Sequence, residues 1–251
     1  MSTPIHVALL PELADATNDA ISIVIDTLRF TTSACQALSA GASRLWVASE
    51  VAAVRRLAKK HSGPIALCGE RLGHRIDGFD LGNSPAEYTA GNVAGKTLFF
   101  TTTNGTRAIA SVQNSNSIWL ACLLNRHAVV EKLRDAGEKT FQIVCAGTDR
   151  KVALEDTLAA GAIVDLIHQE PSVQLCGDGA QIALSCWLNA TSGSTAVQLP
   201  QRIEDEFRRA DGGINLIESG YGKDLGLSAQ IDTLGCVPTS TAEDWQCFIS
   251  G

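Results

Sequence analysis

A three-layer α/β/α fold with a largely parallel sheet is what this sequence of 251 residues predicts. Three observations lead there. Apolar, β-branched runs alternate with segments of helical periodicity over the first two thirds of the chain. Those runs are continuous rather than alternating with polar residues, as strands are when helices cover both faces of their sheet. Aromatic residues make up only 5% of the chain while Gly contributes 22 residues, which suits helices packed close on a sheet. A chain of this length forms one large domain over residues 1–251 or two small ones, with a dividing point near 120–140.

The elements follow in order from the apolar runs and the helical patterns between them. Strands are expected at His6–Leu10, Ser22–Asp26, Arg44–Ala48, Ile65–Cys68, Thr97–Thr101, Ser117–Leu120 and Gln142–Cys145. Helices are expected at Thr32–Ala40, Glu50–Lys60, Thr106–Gln113, Arg126–Ala136 and Leu154–His168. The carboxyl-terminal third reads differently. Gly177–Asn189 and Arg202–Ala210 have helical patterns joined by a polar link, Asp211–Leu225 is glycine-rich and reads as a short helix with turns, and a last strand is expected near Gln230–Leu234.

Composition narrows the function classes. A net charge of −7 argues against nucleic acid or an anionic membrane as the main partner. It leaves room for a small anion, because a local cluster of donors can oppose the global charge. The eight cysteines are scattered and none forms a CxxC pair, so they read as reduced core thiols of a cytoplasmic protein rather than as zinc ligands or a redox motif. The start of the chain, Met1-Ser2-Thr3-Pro4-Ile5-His6, has no basic region followed by an apolar run, so no signal peptide is expected. No apolar run reaches the roughly 20 residues a membrane span needs.

Thr101-Thr102-Thr103-Asn104-Gly105-Thr106-Arg107 carries the strongest chemical signal. It lies between an apolar run and a helical pattern, the layout that turns backbone N–H groups toward an anion. Arg107 adds a fork that grips two phosphate oxygens at once. Removing it is expected to cost roughly 2–4 kcal/mol in transition-state stabilisation if it contacts a transferring phosphoryl group. Asp26-Thr27-Leu28-Arg29-Phe30-Thr31-Thr32 repeats the design, so the chain holds two Thr-rich strand–loop–helix segments, which could belong to two similar α/β halves. Asp26 reads as a cation ligand or as a helix cap. Arg29 at a helix start opposes the helix dipole, a conflict that a bound anion removes.

Two further loops supply acids. Cys68 to Pro85 is long, polar and rich in glycine, a length usually kept for function. Glu70 and Asp80 in it are hard oxygen ligands suited to Mg²⁺, Asn83 is a substrate donor and Ser84 reads as a cap before Pro85. After the apolar run ending at Cys145 come Gly147 and Thr148, then Glu155 and Asp156 at a helix start, where they either complement the dipole or bind metal. A cysteine phosphatase would need an Arg six positions after Cys145, where Lys151 stands, so Cys145 is not the expected nucleophile. If the four loops share one sheet edge, they form one cleft. Asp26, Glu70, Asp80, Glu155 and Asp156 are then candidate Mg²⁺ ligands. Arg29, Thr31, Thr32, Asn83, Thr102, Thr103, Asn104, Gly105, Thr106, Arg107, Gly147 and Thr148 are candidates for binding an anion, and Asp26, Glu70, Arg29 and Arg107 for catalysis.

Taken together, VIDTLRFTT from Val24, GER from Gly69, GFDLGNSP from Gly78, TTTNGTR from Thr101, CAGT from Cys145 and LEDT from Leu154 resemble the 2-phosphosulfolactate phosphatase, or ComB-like, family. The resemblance runs over nearly the whole chain and is strongest between Ile23 and Gly161. It implies a three-layer α/β fold and a Mg²⁺-dependent acid phosphatase that releases phosphate and sulfolactate, a step of coenzyme M biosynthesis in archaea. Asp149-Arg150-Lys151 is more charged than the family pattern. The alternatives are a phosphatase for another small phosphorylated hydroxy acid and a non-catalytic organic-phosphate-binding protein. Leu28 stands where aspartyl-phosphate enzymes carry a second Asp, which favours direct attack by water over a covalent intermediate on Asp26. A homodimer is compatible with an α/β enzyme of this size.

Overall fold

Ala20–Ile25 is buried at every position, as only a strand covered on both faces can be. It is the second of eleven strands in one mixed sheet of the computed structural model, which describes residues 3–15, 20–137 and 139–251. Met1 and Ser2 of the amino-terminal stretch lie outside the described residues. The strands are β1 (Thr3–Ala8), β2 (Ala20–Ile25), β3 (Arg44–Val47), β4 (Ile65–Arg71), β5 (His74–Arg75), β6 (Thr97–Thr101), β7 (Ser117–Ala121), β8 (Thr140–Cys145), β9 (Val173–Cys176), β10 (Pro238–Ser240) and β11 (Cys247–Ser250). The helices are α1 (Phe30–Ser39), α2 (Val51–Lys59), α3 (Ala90–Val93), α4 (Gly105–Ser111), α5 (Arg126–Asp135), α6 (Leu154–Ile167), α7 (Gly177–Thr191), α8 (Leu199–Arg209), α9 (Asp211–Glu218) and α10 (Lys223–Ser228).

The strand period of two divides the core into layers. Ile21, Ile23 and Ile25 face one side, where they join Val129 and Val130 of α5, Leu158 and Ile163 of α6 and Ala183 of α7. Val24 faces the other side, with Phe30 and Ala34 of α1 and Ala108 and Ile109 of α4. Helices thus cover both faces, and the expected three-layer α/β/α arrangement is present. No helix among the described residues is long and apolar enough to cross a membrane. All eight cysteines are free thiols.

The strand order is β5-β4-β6-β3-β11-β10-β7-β2-β8-β1-β9. Two blocks are parallel, β4-β6-β3 and β7-β2-β8-β1-β9, and the hairpin of β10 and β11 joins them through three antiparallel pairings. Both blocks nonetheless bring carboxyl ends to one place. The N–H of Thr103, past the end of β6, bonds the Glu70 carboxylate of β4, and the Asp26 carboxylate past β2 approaches Gly105. Strand twist accumulated over so wide a sheet allows such a meeting.

Two expectations need correction, and two strands were not expected. Gln230–Leu234 is not a strand; the carboxyl-terminal strands are β10 and β11, and β11 carries the apolar pair Cys247-Phe248 into the core. The first strand is Thr3–Ala8 rather than His6–Leu10, because Pro11 opens a 3₁₀ turn and the chain leaves the sheet before it. The edge strands β5 and β9 carry too little apolar patterning to be seen in the sequence.

Candidate active site

The carboxyl ends of β2, β4, β6 and β8 and the helix α9 enclose a cleft of about 320 Å³. Of the residues singled out by sequence, Asp26, Arg29, Glu70, Asn83, Thr103, Asn104 and Thr148 line it.

Asp26 follows directly on β2, with its carboxylate over the start of α1, where the N–H of Phe30 donates to Oδ1 at 3.4 Å. Gly105 at the start of α4 also donates its N–H to this carboxylate. A Cβ at Gly105 would lie 2.4 Å from the Phe30 ring and 2.7 Å from Asp26 Oδ2, so only glycine lets α4 approach this closely. Burial pushes the Asp26 carboxyl up to about 7, with Glu70 and Glu155 adding charge repulsion against the two N–H bonds.

Glu70 ends up bridging two loops. Its Oε1 accepts from Thr103 N at 2.7 Å and its Oε2 from Gly73 N at 2.9 Å. Thr106 N points back at Thr102 Oγ1, at 3.4 Å. Much of the Thr-rich loop's donor capacity is therefore spent on the protein's own Glu70, Asp26 and Thr102. Of the N–H groups expected to cradle an anion around Asn104–Thr106, that of Thr106 turns back into the loop and that of Gly105 lies against Asp26.

Arg29 precedes α1 at its N-cap, just after a cis Leu28–Arg29 peptide bond. Its guanidinium donates to Asp224 Oδ2 at 2.9 Å and to Gly73 O at 2.7 Å, and lies 4.2 Å from the centre of the Tyr221 ring. Arg107 behaves differently. As the third residue of α4 it turns away from the cleft, where it pairs with Glu12 at 3.1 Å and donates to Ala146 O at 2.9 Å. It does not line the cleft, contrary to the expectation that both arginines meet there.

The remaining predicted residues stand behind the cleft wall. Thr31 Oγ1 bonds the Asp26 backbone N and O, at 3.0 and 2.9 Å, and Thr32 donates to Thr27 O at 2.8 Å. Thr106 donates to Thr102 O at 2.6 Å, so these two hydroxyls close a turn rather than face a ligand. Asp156 accepts from Thr27 N at 2.8 Å and Gly147 N at 3.0 Å, clamping the loop after β2 to the loop after β8. Burial raises its carboxyl, with Asp26 and Glu155 adding to the rise. Glu155 is likewise raised by burial; its Oε1 accepts from Thr148 at 3.4 Å and its Oε2 has no hydrogen-bond partner. Asp80 sits elsewhere. Its Oδ2 accepts from Leu67 N at 2.8 Å on an exposed turn, so it does not join the other acids. Cys145 is fully buried and its thiol is pushed up by burial, the opposite of an activated nucleophile.

Sequence reasoning missed one wall of the cleft. Gly212, Asn215, Leu216, Glu218 and Ser219 of the α9 region line it, as do Leu28, Leu72, Gly73 and Asp149. The available signal was the pair Gly212-Gly213. A Cβ at Gly212 would fall 2.0 Å from Glu155 Oε1, so the glycine marks where α9 closes onto the acidic loop.

Among the described residues no three Asp, Glu, His or Cys side chains form a ready-made chelate. The donor set still suits Mg²⁺, which is commonly held by one or two carboxylates together with substrate phosphate and water. Asp26 and Glu70 repel one another across the cleft, and Glu155 Oε2 is an orphaned buried acceptor behind it. A hard cation between Asp26 and Glu70 would offset that repulsion.

Fold and site together define an α/β enzyme with an acid-rich cleft for a small charged ligand, framed by strand ends and one anchored arginine. The family model for 2-phosphosulpholactate phosphatase matches residues 8–243, and the chain belongs to that phosphatase family. It is 36% identical over 234 residues to a probable 2-phosphosulfolactate phosphatase of Pseudothermotoga lettingae, covering 93% of this chain and 94% of that one. A protein of the same description from Deinococcus radiodurans is 37% identical over 242 residues, covering 96% and 94%. One from Prochlorococcus marinus is 37% identical over 237 residues, covering 91% and 92%.

Proposed function

We propose that this protein hydrolyses 2-phosphosulfolactate to sulfolactate and inorganic phosphate in a Mg²⁺-dependent reaction at the cleft of Asp26, Glu70 and Arg29. The observation that carries the reading is the convergence of those three side chains, from far-apart sequence positions, in one cleft at the strand ends. Family membership supports the phosphatase chemistry, and the names of the relatives support the substrate.

Asp26 and Glu70 are the residues that would hold Mg²⁺, with Glu155 behind them. When bound, the ion supplies Lewis-acid polarisation of the phosphoryl oxygens and offsets the charge of the ester. Arg29 binds phosphoryl oxygens through the N–H donors not given to Asp224 and Gly73, and stabilises charge that builds in the transition state. Asn83, Thr103, Asn104 and Thr148 orient the rest of the substrate. Water attacks phosphorus, the bond from phosphorus to the C2 oxygen breaks, and that oxygen leaves as the hydroxyl of sulfolactate. Asp26 and Glu70 stay ionised as the residues that would hold the ion, so the proton shed by the attacking water reaches the leaving oxygen by way of solvent rather than through Asp26. Direct attack by water fits better than an aspartyl phosphate, because Leu28 stands where a second acid would be needed.

The test is phosphate release from 2-phosphosulfolactate and from a panel of other phosphorylated hydroxy acids, with Mg²⁺ and after chelation. Asp26→Asn is expected to lower turnover by roughly 10²–10⁴-fold with the fold retained. Turnover of another ester in preference would replace the substrate, turnover unaffected by chelation would remove the metal, and binding of the ester without phosphate release would make the protein a sensor rather than an enzyme.

A further inference from the structure

Arg29 is held by a part of the chain that the cleft itself does not need. Asp224 belongs to α10, almost two hundred residues away, and its side chain is 4% exposed, as buried as that of Arg29 at 2%. The two carboxylate oxygens have separate duties. Oδ2 accepts from Arg29 Nη1 at 2.9 Å and Oδ1 accepts from Ser84 Oγ at 2.7 Å. Tyr221, three residues before Asp224, lies with its ring 4.2 Å from the Arg29 guanidinium carbon. Gly73 O receives the second guanidinium bond, at 2.7 Å. Four segments, the β2–α1 loop, the β4–β5 turn, the loop before Pro85 and the start of α10, therefore meet on one ion pair, Arg29 with Asp224.

A buried guanidinium without a partner is strongly unfavourable, and one with a fixed partner keeps its planar fork in one orientation. Asp224, with Ser84 behind it and the Tyr221 ring beside the guanidinium, supplies that orientation. We propose that Asp224 is the positioning residue for Arg29: it touches no substrate, and it aims the guanidinium donors left over into the cleft. The proposal rests on Arg29 being the phosphate-binding group of the reaction above. It also gives the carboxyl-terminal helical region a role in the chemistry, since α10 holds the arginine while α9 forms the facing wall.

The test is a double-mutant cycle in the full chain. Asp224→Asn keeps the shape and the Ser84 bond but removes the charge that faces Arg29. It is expected to lower kcat/KM on the order of tenfold or more, mostly in kcat, since misdirected donors are felt in the transition state. Ser84→Ala is expected to lower it less, and Asp224→Glu to restore part of the loss. Arg29→Ala combined with Asp224→Asn is expected to be no slower than Arg29→Ala alone, because the two act through one group. Additive losses would mean that Asp224 acts independently of Arg29, and would overturn the proposal, as would an Asp224→Asn enzyme of wild-type kcat/KM. If Asp224→Asn fails to fold, Ser84→Ala with and without Arg29→Ala gives the same comparison. Wild-type turnover by Arg29→Ala would instead overturn the reading of Arg29 itself, and the proposal with it.

Discussion

The loop after β2 and the loop after β6 look like twins in sequence and have opposite fates in the structure. Each follows an apolar strand, carries several threonines and an arginine, and leads into a helix. Yet Arg29 is buried at the cleft, while Arg107 reaches across the molecule's surface to Glu12. The difference lies in where each arginine falls relative to its helix. Arg29 precedes α1, so its side chain departs before the helical direction is set; Arg107 is already inside α4, whose geometry turns it outward. The partners matter as much. Arg29 meets a carboxylate from α10, and nothing within the Asp26–Thr32 segment announces that partner. A motif therefore locates a loop, and the third dimension decides which of its side chains work.

That contrast can be broken by experiment. Of the two arginines, Arg29→Ala is expected to have the larger effect, with kcat/KM down by roughly 10²–10³-fold, about 2.7–4 kcal/mol, if it binds the transferring group. Arg107→Ala measured beside it is expected to stay within roughly threefold of wild type, with a stability loss of about 1 kcal/mol for a part-exposed ion pair. Reversed outcomes would put Arg107 in the reaction and Arg29 in the scaffold.

A second, intermediate effect concerns the buried acids in the cleft and behind its wall. In the metal-free protein Asp26 titrates near 7, against 3.8 for an ordinary Asp. Between those values the folded state binds the extra proton, so stability is greatest below about pH 4 as far as this group is concerned. It falls as pH rises toward 7, by at most about 1.4 kcal/mol per pH unit for one proton. Asp156 and Glu155, also raised, act in the same direction. Chemical denaturation across pH 4–8 is expected to show this decline, a shallower one in Asp26→Asn, and a shallower one again with Mg²⁺ present. A profile identical in wild type and Asp26→Asn would deny Asp26 its raised value.

The smallest effect is expected at Cys145, which shares the β8 end with Gly147 and Thr148 but is sealed in the core. Cys145→Ala is expected to keep activity near wild type and to cost about 1–2 kcal/mol of stability in thermal unfolding. Loss of turnover with the fold intact would revive a thiol mechanism.

Much of the scaffold was open to inspection in the linear chain. The strands β3, β6, β7 and β8 fall within a residue or two of their expected positions, because a buried parallel strand must be apolar along its length, while β4 runs three residues beyond its expected end, to Arg71. The hairpin of β10 and β11 was hidden: Pro238-Thr239-Ser240 has no apolar pattern and gains its place only by pairing with Trp119 and β11. Among the site residues, Asp26, Glu70 and Asn83 were legible as polar groups in loops at strand ends. Asp80, equally legible, caps Leu67 instead, because an acid in a polar turn serves a nearby N–H as readily as a distant ligand.

By itself, then, the order of residues determined the layered class of the fold, the loops that bear the chemistry and the family. These depend on local apolar runs and short strings that keep their meaning without a partner. Only the tertiary structure decided that the Thr-rich loop spends its N–H groups on Glu70 and Asp26, that α9 walls the cleft, and that Arg29 rather than Arg107 enters it. Those outcomes depend on which long-range partner satisfies each buried polar group, and that choice is made when distant segments pack together.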